Sequence, residues 1–98
     1  MTLQSDPERN ETKYLHKLAD FAQKRVLEIG CGEGRLTWQY AKDTRSTTAV
    51  DLDADALRVA TIDRPSDLES KVHFSRAESE HLPFSKETFD ISVLAWSL

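Results

Sequence analysis

Val26-Leu27-Glu28-Ile29-Gly30-Cys31-Gly32-Glu33-Gly34-Arg35 is the stretch that decides the fold of this chain. Residues 25–29 form a short apolar run with β-branched side chains that stops at a glycine, the pattern of a buried strand. Gly30, Gly32 and Gly34 are the chain's 3 glycines. Crowded together they would weaken a helix or a strand, so they predict a tight loop. From Arg35 to Lys42, the side chains of Leu36, Tyr40 and Ala41 fall on one side of a short helix. A strand that turns through glycines into a helix lets backbone approach a ligand closely. It also aims free N–H groups and the positive end of the helix dipole at that ligand.

Towards the C-terminus the spacing predicts a second strand over 47–51 and a helix capped by Asp53. That helix carries Ala56, Leu57, Val59, Ala60 and Ile62 as its apolar residues, and Pro65 forbids its continuation. A third strand is expected over 72–75, a polar loop with at most one helical turn over 77–83, and a fourth strand over 89–96. Strand, helix, strand, helix, strand, loop, strand reads as a parallel α/β sheet with right-handed crossovers. Towards the N-terminus, residues 1–24 read as an acidic lead-in and a helix. Asp6 is its cap, Pro7 its first residue, and Tyr14, Leu15, Leu18, Phe21 and Ala22 its apolar stripe. The chain thus divides into a helical lead-in, 1–24, and a ligand-binding α/β unit, 25–98. No helix follows the apolar fourth strand, which predicts an unpaired edge and an exposed apolar face able to self-associate. The expectation is that further chain, or a partner, covers it.

Composition sets the frame for these elements. With 98 residues, 39% hydrophobic and 31% charged, the chain suits one globular domain and not a disordered segment. The single cysteine, Cys31, excludes an internal disulfide and a multi-cysteine zinc site, and fits a reducing compartment. No basic segment leads into an apolar run at the N-terminus, and no stretch approaches the ~18 apolar residues of a membrane span, so a cytoplasmic protein is expected. A net charge of −4 disfavours a dedicated nucleic-acid module.

Asp51 ends the second strand about 20 positions beyond the first glycine, where a carboxylate can accept hydrogen bonds from ribose hydroxyls. Asp51 could instead cap the next helix, but Asp53 serves that purpose better. Three nucleotide-like ligands compete for this arrangement. A dinucleotide fingerprint needs a third glycine where this chain has Arg35, which argues against a nicotinamide-dependent oxidoreductase. A P-loop needs Gly-Lys-Ser/Thr, which is absent from the sequence. S-adenosylmethionine remains, since its amino-acid end needs no pyrophosphate cradle.

At this point residues 25–96 resemble the N-terminal half of a class I S-adenosylmethionine-dependent methyltransferase, of the small-molecule group called type 11 or UbiE-like. The resemblance implies a Rossmann-like sheet of strand order 3-2-1-4, truncated after strand 4 of the seven-stranded methyltransferase fold. It implies that Gly30, Cys31, Gly32 and Gly34 form the loop around the methionine part of the cofactor. Glu28 then matches the acid that helps order the amino-acid end, Asp51 the ribose-binding acid, and Leu52 the apolar residue against adenine. Ala77-Glu78-Ser79-Glu80-His81-Leu82-Pro83-Phe84 is similar to the family's third motif. Glu78 stands there in place of the usual Asp that meets the adenine amino group, with the Ser79 N–H near a ring nitrogen.

The resemblance further implies a methyl acceptor bound by segments after the fourth strand, with residues 1–20 contributing part of a lid. Amino-group methyltransferases often carry Asp/Asn-Pro-Pro-Tyr after strand 4. Here the chain reads Leu94-Ala95-Trp96-Ser97-Leu98, which leaves carbon or oxygen atoms of small molecules as acceptors. No residue in 1–98 reads as a catalytic base, and no metal site is expected. Cys31 reads as a small loop residue and not a nucleophile, Trp38 and Tyr40 as helix packing, and His16, His73 and His81 as surface or boundary residues. Residues 1–98 by themselves are not expected to turn over substrate. The rival reading is a non-catalytic cofactor-binding module, or a half-domain completed by another chain.

Overall fold

Alternation of side chains along parallel strands sorts this sequence into two faces of one sheet. The computed structural model describes residues 2–4, 20–78, 81–85 and 88–95. Among them, β1 (Thr2–Gln4), β2 (Arg25–Ile29), β3 (Ser46–Asp51), β4 (Val72–Arg76) and β5 (Ile91–Leu94) pair in parallel in the order β1-β5-β2-β3-β4. The last four strands reproduce the expected 3-2-1-4 order. The central strand β2 is buried from Val26 to Ile29, which is why its sequence is apolar on both sides apart from Glu28.

One face carries Val26, Glu28, Ala49, Val72, Ile91 and Val93. Helices α1 (Arg35–Tyr40) and α2 (Ala54–Asp63) lie over it. Leu36 and Tyr40 pack with Phe21, Val26, Ile91 and Val93, while Leu57 packs with Ala49 and Cys31. The Phe21 and Tyr40 rings stack with centroids 4.7 Å apart, a geometry worth about 0.5–1.5 kcal/mol beyond the area it buries. The opposite face carries Leu27, Ile29 and Val50, covered by Ala77, Leu82, Phe84 and Phe89 from the connection between β4 and β5. Asp53 caps α2 as its sequence position demands, accepting from the N–H groups of Asp55 and Ala56.

Several expectations are corrected. Residues 20–24 form a turn and not the end of a helix. Asp20 Oδ1 accepts the Ala22 N–H at 2.9 Å, the Lys24 N–H reaches Phe21 O at 3.1 Å, and Gln23 takes a φ of 61°. Phe21 is apolar there because it fills the space over Tyr40, not because it continues a helical stripe. The start of the expected helix, from Asp6 through Leu18, lies outside the described residues, as does Trp96. Ile62 is 76% exposed and belongs to no core; only Leu57 and Ala60 of α2 are buried.

The fourth strand is also shorter than the apolar run suggested. Asp90 precedes β5 and clamps it to β2: its carboxylate accepts the Arg25 backbone N–H at 2.8 Å and the Arg25 guanidinium at 3.2 Å, and its own N–H reaches Arg25 O at 2.8 Å. The outer edge of β5, expected to be unpaired, is occupied by β1 in the register Thr2↔Ser92 to Gln4↔Leu94. Its apolar face is covered as well, with Ile91 and Val93 buried against α1. A parallel strand with an apolar face is stabilised by pairing on both edges, and the N-terminal segment supplies the missing pairing.

Candidate functional site

Parallel register brings the carboxyl ends of the strands into one row. Ile29 stands opposite Val50 and Leu94, and Asp51 opposite Arg76. In open α/β sheets this end of the strands is where ligands bind. Beyond β3 and β4, the Ala77 N–H donates to Asp51 O at 3.2 Å, and Arg76 Nε donates to Leu52 O at 2.9 Å. The segment that carries Glu78 is thereby held beside Asp51 and Leu52.

The glycine loop is tied to the same point. The N–H groups of Gly30 and Cys31 both reach Val50 O, at 2.8 and 3.1 Å, and the Gly32 N–H reaches Asp51 Oδ2 at 2.8 Å. Gly32 has φ 56° and Gly34 φ 90°, left-handed backbone that costs a residue with a Cβ about 1–2 kcal/mol. The two differ in what surrounds them. A Cβ on Gly34 would lie 2.6 Å from Trp38 Cζ2, so this glycine is required by packing against the helix that follows it. A Cβ on Gly32 would meet nothing within 4 Å, so the room above this peptide is open to a ligand.

Glu28 is fully buried. Its Oε1 accepts from Thr37 Oγ1 at 2.8 Å and from the Tyr40 hydroxyl at 2.5 Å. These contacts tie β2 to α1 on either side of the glycine loop. Sequence reasoning did not foresee Thr37 and Tyr40 as partners of this acid, although their spacing of three on one helix face was the available signal. Burial, followed by the Glu28 charge, pushes the Tyr40 hydroxyl well above its ordinary range, so it donates at neutral pH. The Cys31 thiol is likewise pushed up, by burial first and then by the charges of Glu28 and Asp51. It stays protonated at neutral pH and packs against Ala49 and Leu57.

Of the residues expected to meet adenine, Leu52 is 53% exposed next to Asp51, an apolar surface with no core to fill. Glu78 is exposed, and its Oε2 lies 3.0 Å from His81 Nδ1. Leu82 and Phe84, from the same motif, serve the core by covering Leu27 and Ile29. Ser79 lies outside the described residues. Among the described residues no cluster of His, Cys, Asp and Glu is arranged to hold a metal ion. An anchored carboxylate, an exposed leucine and open room above Gly32 together suit a nucleoside with a small amino-acid tail.

The likeness to known proteins leads to the same place. Residues 26–98 match the family described as "Methyltransferase domain". The chain is 30% identical over 80 residues to the ubiquinone biosynthesis O-methyltransferase of Hydrogenovibrio crunogenus, covering 81% of this chain and 33% of that one. It is 35% identical over 72 residues to the malonyl-[acyl-carrier protein] O-methyltransferase of Salmonella typhimurium, covering 74% of this chain and 26% of that one. This chain therefore spans a third or less of either relative's length. The crystal structure of the YcgJ protein from Bacillus subtilis superposes with a TM-score of 0.80 at 25% identity, covering 89% of this chain and 38% of that one. By the match over residues 26–98, the sheet order and these relatives, the chain belongs to the class I S-adenosylmethionine-dependent methyltransferase family.

Proposed function

We propose that residues 25–98 are the cofactor-binding half of a methyltransferase that moves a methyl group from S-adenosylmethionine to an oxygen or carbon atom of a small molecule. Residues 1–24 are a lead-in, of which Thr2–Gln4 closes the sheet edge beside β5. The observation that carries the reading is Asp51, anchored at the end of β3 within hydrogen-bond distance of Gly32 and next to exposed Leu52. The names of the two O-methyltransferase relatives support oxygen as the acceptor atom.

Each residue has a task in this reading. Asp51 accepts hydrogen bonds from the two ribose hydroxyls through lone pairs left free by the backbone. Leu52 offers apolar surface to one face of adenine, and the adenine amino group donates to Glu78. Gly32, within the loop Gly30-Cys31-Gly32-Glu33-Gly34, lets the methionine part lie against backbone. Glu28 acts through Thr37 and Tyr40, holding β2 and α1 so that the loop between them keeps its shape. The bound cofactor supplies a methyl on a sulfonium, already a good leaving group. What remains for the protein is orientation, in which the methyl and the acceptor atom are held in line. Because this chain spans a third or less of either O-methyltransferase relative, acceptor binding and turnover are assigned to more of the protein than residues 1–98.

Calorimetry with S-adenosylhomocysteine tests the reading. Asp51→Ala removes hydrogen bonds to a charged acceptor, worth about 2–3 kcal/mol, or roughly 30- to 150-fold in affinity. NAD should not bind. An unchanged dissociation constant in Asp51→Ala would remove the ribose assignment.

A further inference from the structure

The glycine loop hangs from the end of β3 by three N–H groups, and only one of these bonds depends on a side chain. Gly30 and Cys31 donate to the backbone oxygen of Val50, which any sequence would provide. Gly32 donates to Asp51 Oδ2 across 19 residues of sequence. The other carboxylate oxygen, Oδ1, accepts the Asp53 N–H at 2.9 Å, which fixes the carboxylate from its own side of the chain. Gly32 has no side chain to pack, and the space where a Cβ would sit is empty to 4 Å. The other end of that peptide, Cys31 O, accepts the Gly34 N–H at 3.0 Å within the loop itself, and the bond to Asp51 is the side-chain contact that ties it to β3.

We propose that Asp51 is a positioning residue for the Gly32 peptide in addition to its ligand-facing role. It sets the loop before any cofactor arrives, and this part of its work rests on the cofactor reading above only for its purpose. A carboxylate accepts at about four lone-pair sites. Two are taken by Gly32 and Asp53, so one per oxygen remains for a vicinal pair of hydroxyls. The same group thus pre-organises the loop that meets the amino-acid end and binds the sugar. Binding at the ribose and at the methionine part is coupled through one side chain. An asparagine of the same shape cannot do this: its NH2 would face the N–H of either Gly32 or Asp53, donor against donor.

The test is made without ligand first. In the wild-type chain, NMR should detect a coupling across the hydrogen bond between the Gly32 nitrogen and the Asp51 carboxylate carbon. In Asp51→Ala, hydrogen exchange at the Gly32 amide should speed up at least about tenfold, as for losing one charge-assisted hydrogen bond. The amides of Ala49 and Val50 in β3 should stay protected and so report an intact sheet. Absence of the coupling in wild type, or an unchanged Gly32 amide in Asp51→Ala, overturns the proposal whatever happens to affinity. Should the variant fail to fold, the wild-type coupling decides alone. Calorimetry with S-adenosylhomocysteine then separates the two ideas. A Gly32 amide that loosens while affinity holds supports the positioning role and removes the ribose reading. Affinity that falls with the amide unmoved leaves the ribose reading and removes this one.

Discussion

Gly32 and Gly34 differ by two positions and share a left-handed φ, yet alanine at each should fail for a different reason. In Gly34→Ala the new Cβ lies 2.6 Å from Trp38 Cζ2 and 2.9 Å from Cε2, closer than such atoms come. Left-handed backbone costs about 1–2 kcal/mol for a residue with a Cβ, and forcing extra volume into packed surroundings costs about 1–3 kcal/mol more. The sum, about 2–5 kcal/mol, is a large share of the roughly 5–15 kcal/mol that holds a domain together. For a domain of this size each kcal/mol moves the melting temperature by about 4–8 °C, so Gly34→Ala should melt about 8 °C early or more, or fail to fold. Gly32→Ala meets no atom within 4 Å and carries only the backbone cost, about 1–2 kcal/mol. It should melt closer to wild type while losing most of the stabilisation that S-adenosylhomocysteine confers, because its methyl occupies the ligand's room. Trp38 packs edge-on to Phe74 with centroids 5.9 Å apart, so Trp38→Leu is itself destabilising. A double-mutant cycle of Gly34→Ala with Trp38→Leu isolates the steric part, which should appear as rescue of about 1–3 kcal/mol. Equal melting losses at the two glycines with zero coupling to Trp38 would refute the division between a packing glycine and a ligand glycine.

Three further outcomes follow from the same contacts. Tyr40→Phe removes a donor from the buried Glu28 carboxylate and should lower stability by about 1–3 kcal/mol in urea unfolding; a neutral result would mean that the bond carries no net stability. The Arg25 side chain and backbone hold Asp90 down to about 2, below the ordinary Asp value of ~3.9. Its contribution is therefore complete above about pH 4 and lost as pH falls towards 2. Because the two side chains are 44% and 39% exposed, solvent screens the pair and the effect is modest. Acid unfolding of Asp90→Asn should show less pH dependence across that window, and superimposable curves for variant and wild type would contradict the clamp. Deleting residues 1–4 uncovers the edge of β5 that β1 pairs. Light scattering should then show concentration-dependent association, and exchange at residues 92–94 should accelerate; a monomer with unchanged protection there would show that the β1 pairing is dispensable.

Among the candidate residues, what was legible and what was not divides along a physical line. Asp53 as a cap, Pro65 as a stop, the glycine loop and the apolar run of β2 are written in signals that span a few residues, because dihedral preference and capping act locally. The parallel class of the sheet followed from the succession of elements, since parallel strands need crossovers, while its 3-2-1-4 order was implied by the family resemblance. Asp51 was legible as a carboxylate at a strand end, but not as a partner of the Gly32 N–H. That bond depends on how far β3 advances relative to β2, which register alone decides. Glu28 read as a ligand-ordering acid, while in the fold its carboxylate faces Thr37 and Tyr40. The contacts to Thr37 and Tyr40 depend on the placement of α1, which the residues around Glu28 do not encode.

The sequence by itself determined the class of sheet, the loop that follows its first long strand and the acid that stands beside that loop. Each of these rests on residue types whose backbone freedom or charge has one good local use. Only the tertiary structure decided that Gly34 answers to Trp38 while Gly32 faces open room. Only it revealed that Leu82 and Phe84 cover Leu27 and Ile29, and that Thr2–Gln4 closes the edge of Ile91–Leu94. The reason is common to all three. A three-residue strand has no periodicity to read, and a leucine in a motif looks the same whether it meets a ligand or a core. Such contacts join residues far apart in sequence, so they are fixed by which surfaces the assembled sheet leaves to be buried.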